Sequence, residues 1–532
     1  MGLIFLLFIF VIPSFKPFGM TGVWERSAYT TYIGDEIDEL MRERNIIIES
    51  QNTEIRIRAR NIGQGQWNQG QGGGQQHDRA RITVFENANG ISINSYDRTQ
   101  LNFMHYLDDG GNVFTKIVVQ EPRGAMSRKA YIEINLVREA EVPDSLQPPY
   151  NFVLNTGKSM VSFGHDPSVE QVKIENLIVN GTGHVSLPND PKWTIEKNLI
   201  INSTDAQVTC KPLIKGYVQI NGNSRGVTLG DVEGYVWVEG SVNNVYVNKV
   251  GKEVSSGTGA IGNAIHFESN GTLTVAGNCV GALYVRSVDA SINVQKTNSA
   301  DINTTRGTVN INGISGVAIA PRVEKLHPWG HPGGISGDPP CYCINEETLN
   351  VDAKIIMESG SLTLGTTSVD FGVYGHVYIN KKYGGAAVTY ANSETATGNC
   401  FIRAIDGAIN VNRIRGAANI FITSSAYNPR VNVSYAKVAP RVSTSAGSMI
   451  FPANNDIVVD GQEERGDITI TLIGSTGITI ELYNTWDAKC HITGVDIDNY
   501  PEWGVRHNVN DVTAPIVVVK TSARFDLYWK SS

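Results

Sequence analysis

Apolar residues recur along this chain in pairs separated by one position. From residue 199 they run Leu199/Ile201, Val208/Cys210, Val218/Ile220, Val227/Leu229, Val236/Val238 and Val245/Val247, with starts nine or ten residues apart. The series resumes at Ile265/Phe267, Leu273/Val275, Leu283/Val285, Ile292/Val294, Val309/Ile311 and Val317/Ile319. A further set holds Leu362/Leu364, Val377/Ile379, Ile409/Val411, Ile420/Ile422 and Val431/Val433. Apolar residues two apart predict a short strand with one buried and one wet face. Between the pairs stand Asn221-Gly222, Gly230, Gly234, Gly240, Asn243, Asn270-Gly271 and Asn312-Gly313. Gly and Asn tolerate the left-handed backbone of a tight corner.

Two folds satisfy the pattern. In a parallel β-helix each short strand is one side of a coil, and three sides at this spacing close one rung. In a sandwich the same strands pair through Asn-Gly hairpins. The β-helix accounts better for strands so short and so evenly spaced. The fold class expected is therefore all-β: a parallel β-helix (β-solenoid) with a small N-terminal β domain, one N-terminal helix and a C-terminal β cap. Over roughly 165–450 the pattern resembles the right-handed, pectin-lyase-like β-helix architecture, at the level of fold only. A longer echo overlies it. Gly277-Asn278-Cys279, Arg286, Asp289 and Ile292/Val294 return as Gly398-Asn399-Cys400, Arg403, Asp406 and Ile409/Val411, and Ala320–Val323 returns as Ala439–Val442. This predicts two homologous blocks.

Before residue 150 the pattern changes. Leu3–Ile12 is an apolar run broken by Pro13, the length of a signal-peptide core and too short to span a bilayer. Over 27–48 Tyr29, Ile33, Ile37, Leu40 and Met41 fall at helical spacings. Acidic residues lie early and Arg42 and Arg44 late, as a helix dipole favours. An apolar segment followed by a helix and β domains resembles a pilin-like layout, which implies a filament subunit. The organisation expected is thus a signal or anchor at 1–22, helix and lead-in at 23–60, and a Gly/Gln-rich linker at 61–79. After these come a small β domain at 80–150, one solenoid block at 151–326, a Pro/Gly/His/Cys loop at 327–345, a second block at 346–450 and a cap or domain at 451–532.

Composition narrows the functions. Of 532 residues, 41% are hydrophobic and the net charge is −8. That supports a real core and, without a basic cluster, disfavours nucleic acid. His327, His331, Cys341 and Cys343 supply four zinc-type ligands in a Gly/Pro-rich loop. The acidic group Asp456, Asp460, Glu463 and Glu464 supplies oxygens of the kind calcium takes, without the alternation of a known loop. No cofactor is otherwise implied. Six Cys permit three disulfides, although Cys210 holds an inward repeat position. Sequons place candidate glycosylation at Asn180, Asn202, Asn270, Asn303 and Asn432. Asp190, beside Pro191, reads as a turn residue, and the recurring Arg286/Asp289 and Arg403/Asp406 read as ion pairs.

These features together predict a secreted or cell-surface β-solenoid with a structural or adhesive role and no catalysis. Its outer faces would carry Asn and Tyr, as at Asn243, Asn244, Tyr246 and Asn248, and meet polysaccharide, glycan or other surface proteins. Two alternatives stay open. One is a subunit of an extracellular filament or virion, a homo-oligomer joined through the N-terminal segment. The other is a polysaccharide-active β-helix enzyme, which would need three or more carboxylates with an Arg or Lys in one groove.

Overall fold

A computed structural model describes residues 28–32, 44–59, 81–86, 99–107, 113–121, 130–136, 147–165, 167, 169–252, 263–316, 324–326, 341–343, 351–366, 368, 371–391, 400–404, 408–412, 420–424 and 430–437. Toward the C-terminus it also describes 457–461, 467–473, 479–483, 490–493, 506–507, 516–520 and 524–530. The apolar run at 3–12 and the Gly/Gln tract lie outside these residues. The chain divides into two compact units, Met1–Lys252 and Glu253–Ser532.

The described residues are all-β, without a helix. The first correction follows: where a helix was expected over 27–48, Ala28–Tyr32 and Asn45–Ser50 are strands. The reason is local. Tyr-Thr-Thr-Tyr and Ile-Ile-Ile are β-branched and aromatic runs with high strand preference. In Asn45–Ser50 burial alternates strictly, with Ile46 and Ile48 inward. Residues 33–43, with Ile33, Ile37, Leu40 and Met41, lie outside the described residues.

In the first unit, from Val172 on, strands pair in parallel with strands one full pass earlier. Leu199 lies beside Val218, and Val218 beside Val236, eighteen or nineteen residues on. A second column runs Val185, Val208, Val227, Val245. A short third column runs Ile195, Ile214, Val232, Val250. Each pass therefore has two long sides and one short one, so it closes in about two of the nine-residue intervals, not three. The apolar pairs point inward: Val218, Ile220, Val236, Val238, Val245 and Val247 are all fully buried. Asn221-Gly222, a hairpin signal in a sandwich, instead turns a corner between two sides of one pass.

The second unit repeats this arrangement. One column stacks Ala300, Ala353, Val377, Cys400, Ile420 and Ile457, and another Val309, Leu362, Ala386, Ile409, Val431 and Ile468. At one corner Gly307, Gly360 and Gly384 lie above one another with φ of 127°, 106° and 85°. The block echo is only partly in register. Arg403 follows the inward Ile402 as Arg286 follows Val285, 117 residues earlier, whereas Cys279 precedes its strand's inward pair and Cys400 is part of one.

Both units order some passes out of sequence. Asn45–Ser50 lies between Val113–Gln120 and Tyr150–Thr156, and Glu54–Ala59 between Ala130–Leu136 and Met160–His165, all parallel. The region 80–150, expected as a small β domain, thus contributes strands to the same sheet. It adds antiparallel ones at its outer side: Arg81–Glu86 against Ala130–Leu136, and Gln100–Leu107 against Val113–Gln120. In the second unit Ile516–Lys520 lies between Ile457–Gly461 and Thr479–Tyr483, and Arg524–Lys530 between Asp467–Ile473 and Cys490–Thr493.

The turn linking Asn45–Ser50 to Glu54–Ala59 is held by Glu121. Its carboxylate accepts from the Asn52 and Thr53 amides at 2.6 and 2.7 Å and from the Thr53 hydroxyl and Asn52 side chain at 2.8 and 2.9 Å. Partial burial raises the carboxyl's pKa, but these four bonds outweigh it and hold the group below its ordinary 4.5. A depressed carboxylate stabilises the fold above its unfolded pKa and loses that contribution as pH falls through the folded value. Glu121→Gln is therefore expected to cost about 1 kcal/mol at pH 7, discounted for exposure. The difference should shrink as pH falls from above 4.5 through the lowered folded pKa in denaturation curves taken across pH; a constant difference would contradict this account.

A candidate amide and aromatic face

The first long side of unit one presents outward residues in three columns. One margin holds Asn45, Asn151, Asn176, Asn198, Tyr217 and Tyr235; the centre holds Ile47, Val153, Ile178, Ile200, Gln219 and Trp237; the other margin holds Glu49, Asn155, Asn180, Asn202, Asn221 and Glu239. The local cause is a repeated motif, Asn-Phe-Val-Leu-Asn at 151–155, Asn-Leu-Ile-Val-Asn at 176–180 and Asn-Leu-Ile-Ile-Asn at 198–202. On a strand, residues two apart share a face, so both Asn and the middle aliphatic point outward while the residues between them point in.

Each margin is a hydrogen-bonded ladder. Asn151 donates to Asn45 at 2.9 Å, Asn176 to Asn151 at 2.9 Å and Asn198 to Asn176 at 3.1 Å. Across the face Asn180 donates to Asn155 at 2.8 Å, Asn202 to Asn180 at 3.1 Å and Asn221 to Asn202 at 2.8 Å. A primary amide has two N–H donors and two acceptor lone pairs. Each rung of the ladder uses one of each, so Asn176, Asn180, Asn198 and Asn202 each retain a donor and a lone pair for a ligand.

The face changes character at its far end. Tyr217 and Tyr235 stack with centroids 5.1 Å apart and planes within 6°. Trp237 stands two residues along from Tyr235, beside Gln219. Tyr235 is 44% exposed. Burial, then the neighbouring Tyr217, raises its phenol above the ordinary 10.0, so it remains a neutral donor at physiological pH.

Carboxylates elsewhere are mostly tied to bases on an adjacent pass: Glu175 to Lys197, Glu196 to Lys215 at 2.8 Å, Asp205 to Arg225, Glu358 to Lys382 at 3.2 Å. Arg286 pairs with Asp301 at 3.0 Å and Asp289 with Arg306 at 3.2 Å, so these two reach across passes, not to each other; the Arg403 side chain and Asp406 lie outside the described residues. Asp190 does occupy a turn: its carboxylate accepts from the Lys192 amide at 2.9 Å and meets His165 Nε2 at 2.5 Å.

His327 and His331 lie outside the described residues. Cys341–Cys343 forms an antiparallel pair with Glu324–Leu326, which sets Cys341 opposite Leu326. No group of three or more metal-type ligands occurs among the described residues. Asp460 lies in a strand beside Thr423 and Lys520; Asp456, Glu463 and Glu464 are outside the described residues. Cys210, Cys279 and Cys400 are free and buried, so three disulfides do not form. Burial pushes each thiol up to about 12, which leaves them poor nucleophiles. Of the sequons, Asn180 and Asn202 commit a side-chain donor to the ladder, and Asn270 accepts from the Val288 and Asp289 amides at 2.9 and 3.2 Å. Asn303 and Asn432 lie within strands.

Sequence reasoning placed its polar rows at Asn243, Asn244, Tyr246 and Asn248, and missed the ladders. Asn244 and Tyr246 belong to the second column's face, and Asn248 is bonded to Asp231 at 2.5 Å. The missed signal was the Asn that brackets each apolar triplet.

No family model matches the chain, and no curated protein matches it. Among solved structures the chain is similar to a "putative cell adhesion protein" of Clostridium sporogenes, with a TM-score of 0.21 and 8% identity over 42% of this chain and 99% of that one. At that size the likeness fixes nothing about what this chain does.

Proposed function

We propose that this protein is a β-solenoid with an adhesive role outside the cell or at its surface, and that the amide and aromatic face of its first unit contacts glycan. The observation that carries the reading is the stacked pair Tyr217 and Tyr235 with Trp237 and Gln219 beside them, continuing two amide ladders. Aromatic planes offer apolar contact to the C–H face of a sugar ring, while neighbouring amides meet its hydroxyls. The solenoid reading rests on the parallel register of one pass on the next, which keeps the outward columns aligned. The face owes its rigidity to backbone pairing, so little ordering entropy is lost when a ligand arrives.

The test is binding of the full chain to immobilised glycans. Trp237→Ala and Tyr235→Ala are each expected to weaken glycan binding about tenfold, about 1.4 kcal/mol, with thermal unfolding changed little because both side chains face outward. Unchanged retention in both variants, or no retention of the native chain on any glycan, would overturn the proposal.

A further inference from the structure

We propose that the ligand is a neutral, unbranched polysaccharide that lies across the strands, along the aliphatic centre of the face, with its edges bonded to the two Asn ladders; this rests on the glycan reading above.

Dimensions come first. Strands stand about 4.8 Å apart, so the six strands from Asn45 to Tyr235 span about 24 Å, too long for a single sugar. Within a strand the two Asn of each motif are four residues apart, about 13 Å, which leaves the middle aliphatic a track about one ring wide. Over the four strands from Asn45 to Asn202 the surface is therefore a narrow apolar stripe with a polar margin on each side, and Gln219 and Trp237 continue its centre.

Charge decides among linear polymers. The outward residues of 151–155, 176–180, 198–202 and 217–221 include no ionised side chain. The nearest charges are two acids on the end strands of one margin, Glu49, bonded to Lys116 at 2.5 Å, and Glu239, and the pairs Glu175 with Lys197 and Asp205 with Arg225 beyond the margins. An anionic polymer laid on this face would lose hydration and gain no counter-charge. A neutral chain loses only hydroxyl hydration, which the spare donor and lone pair of Asn176, Asn180, Asn198 and Asn202 can replace. Val153, Ile178 and Ile200 then meet its apolar faces. These three are outward residues that an ordinary wet strand would have as polar ones.

The experiment titrates the full chain with neutral glucan, mannan, xylan and N-acetylglucosamine oligomers of two, four and six sugars, with oligogalacturonates of equal length as the charged series. At least one neutral series is expected to gain about tenfold or more in affinity from two sugars to six, since each added sugar reaches another strand. Ile200→Asp and Ile178→Ser should each remove most of that gain, lowering the six-sugar affinity far more than the two-sugar affinity. Trp237→Ala should lower both. Circular dichroism of the variants should match the native chain, and Ile178→Ser, a smaller change, covers the case in which Ile200→Asp disturbs the fold. Affinity independent of length, or a gain that survives both centre-stripe variants while Trp237→Ala still weakens binding, would overturn this inference and leave the glycan reading standing. Binding confined to the charged series would overturn the inference alone. Binding to neither series would overturn both.

Discussion

Trp193→Ala is expected to destabilise the first unit by about 3–5 kcal/mol, whereas Trp193→Phe should stay within about 2 kcal/mol of the native chain. Trp193 is the largest fully buried side chain in the described core. It meets Phe163 edge-on at 5.6 Å, and Phe163 meets Phe152 edge-on at 5.5 Å. Phe152 and Phe163 come from two sides of one pass and Trp193 from a later one, so truncation opens a cavity that rigid, hydrogen-bonded neighbours cannot collapse into. The indole Nε1 is buried without a hydrogen-bond partner. Phenylalanine loses some volume but removes that unpaired donor, and the two effects oppose each other. Urea denaturation of the three proteins checks this; equal losses for Ala and Phe would mean that the indole nitrogen has a partner after all.

Gly360→Ala should be comparably damaging, by about 2–5 kcal/mol, although it adds a single methyl group. Gly360 has a φ of 106°, where L side chains are strained. A Cβ there would lie 1.9 Å from the carbonyl oxygen of Gly307 on the adjacent pass. That neighbour is backbone and is held by the sheet, so it cannot swing aside as a side chain could. Gly226 provides the comparison. Its Cβ would meet only the Asn244 oxygen, at 3.8 Å, and Gly226→Ala should be neutral or stabilise by up to about 1 kcal/mol. If both substitutions have the same effect, close stacking at the Gly307, Gly360 and Gly384 corner is not what those glycines serve.

What was legible in the sequence was local and periodic. Apolar pairs nine residues apart identified inward residues such as Val218, Ile220, Val236 and Val238, because period-two burial is a property of a strand whatever it pairs with. The number of sides per pass was not legible. It depends on how sharply each corner turns, and a short side of the kind Ile214 and Val232 occupy carries one apolar residue, which leaves no pair to count. At the two ends of the helix expected over 27–48, strands stand instead, because helical spacing can run into residues whose own preferences are for strands, as in Ala28–Tyr32. The ladders could have been read, since the bracketing Asn is periodic too. Attention to the apolar pairs hid it. Which Arg meets which Asp was out of reach: Arg286 selects Asp301 through the stacking of passes, while sequence proximity favoured Asp289.

The out-of-sequence passes have a consequence for how such a chain comes together. Ile516–Lys520 and Arg524–Lys530 sit between strands that are both synthesised earlier, and Asn45–Ser50 waits for partners that emerge long after it. Neither unit can grow like a zipper from the ribosome outward. The second unit has to hold open, or reopen, a slot of one strand's width for a late arrival, and the first has to keep both edges of Asn45–Ser50 free until its partners emerge. Such non-local closure makes folding slow, and an unfilled slot offers two bare strand edges to any extended segment nearby. The last pass is thus a keystone in kinetic terms, and the interval before it arrives is when this protein is most exposed to mispairing with its neighbours.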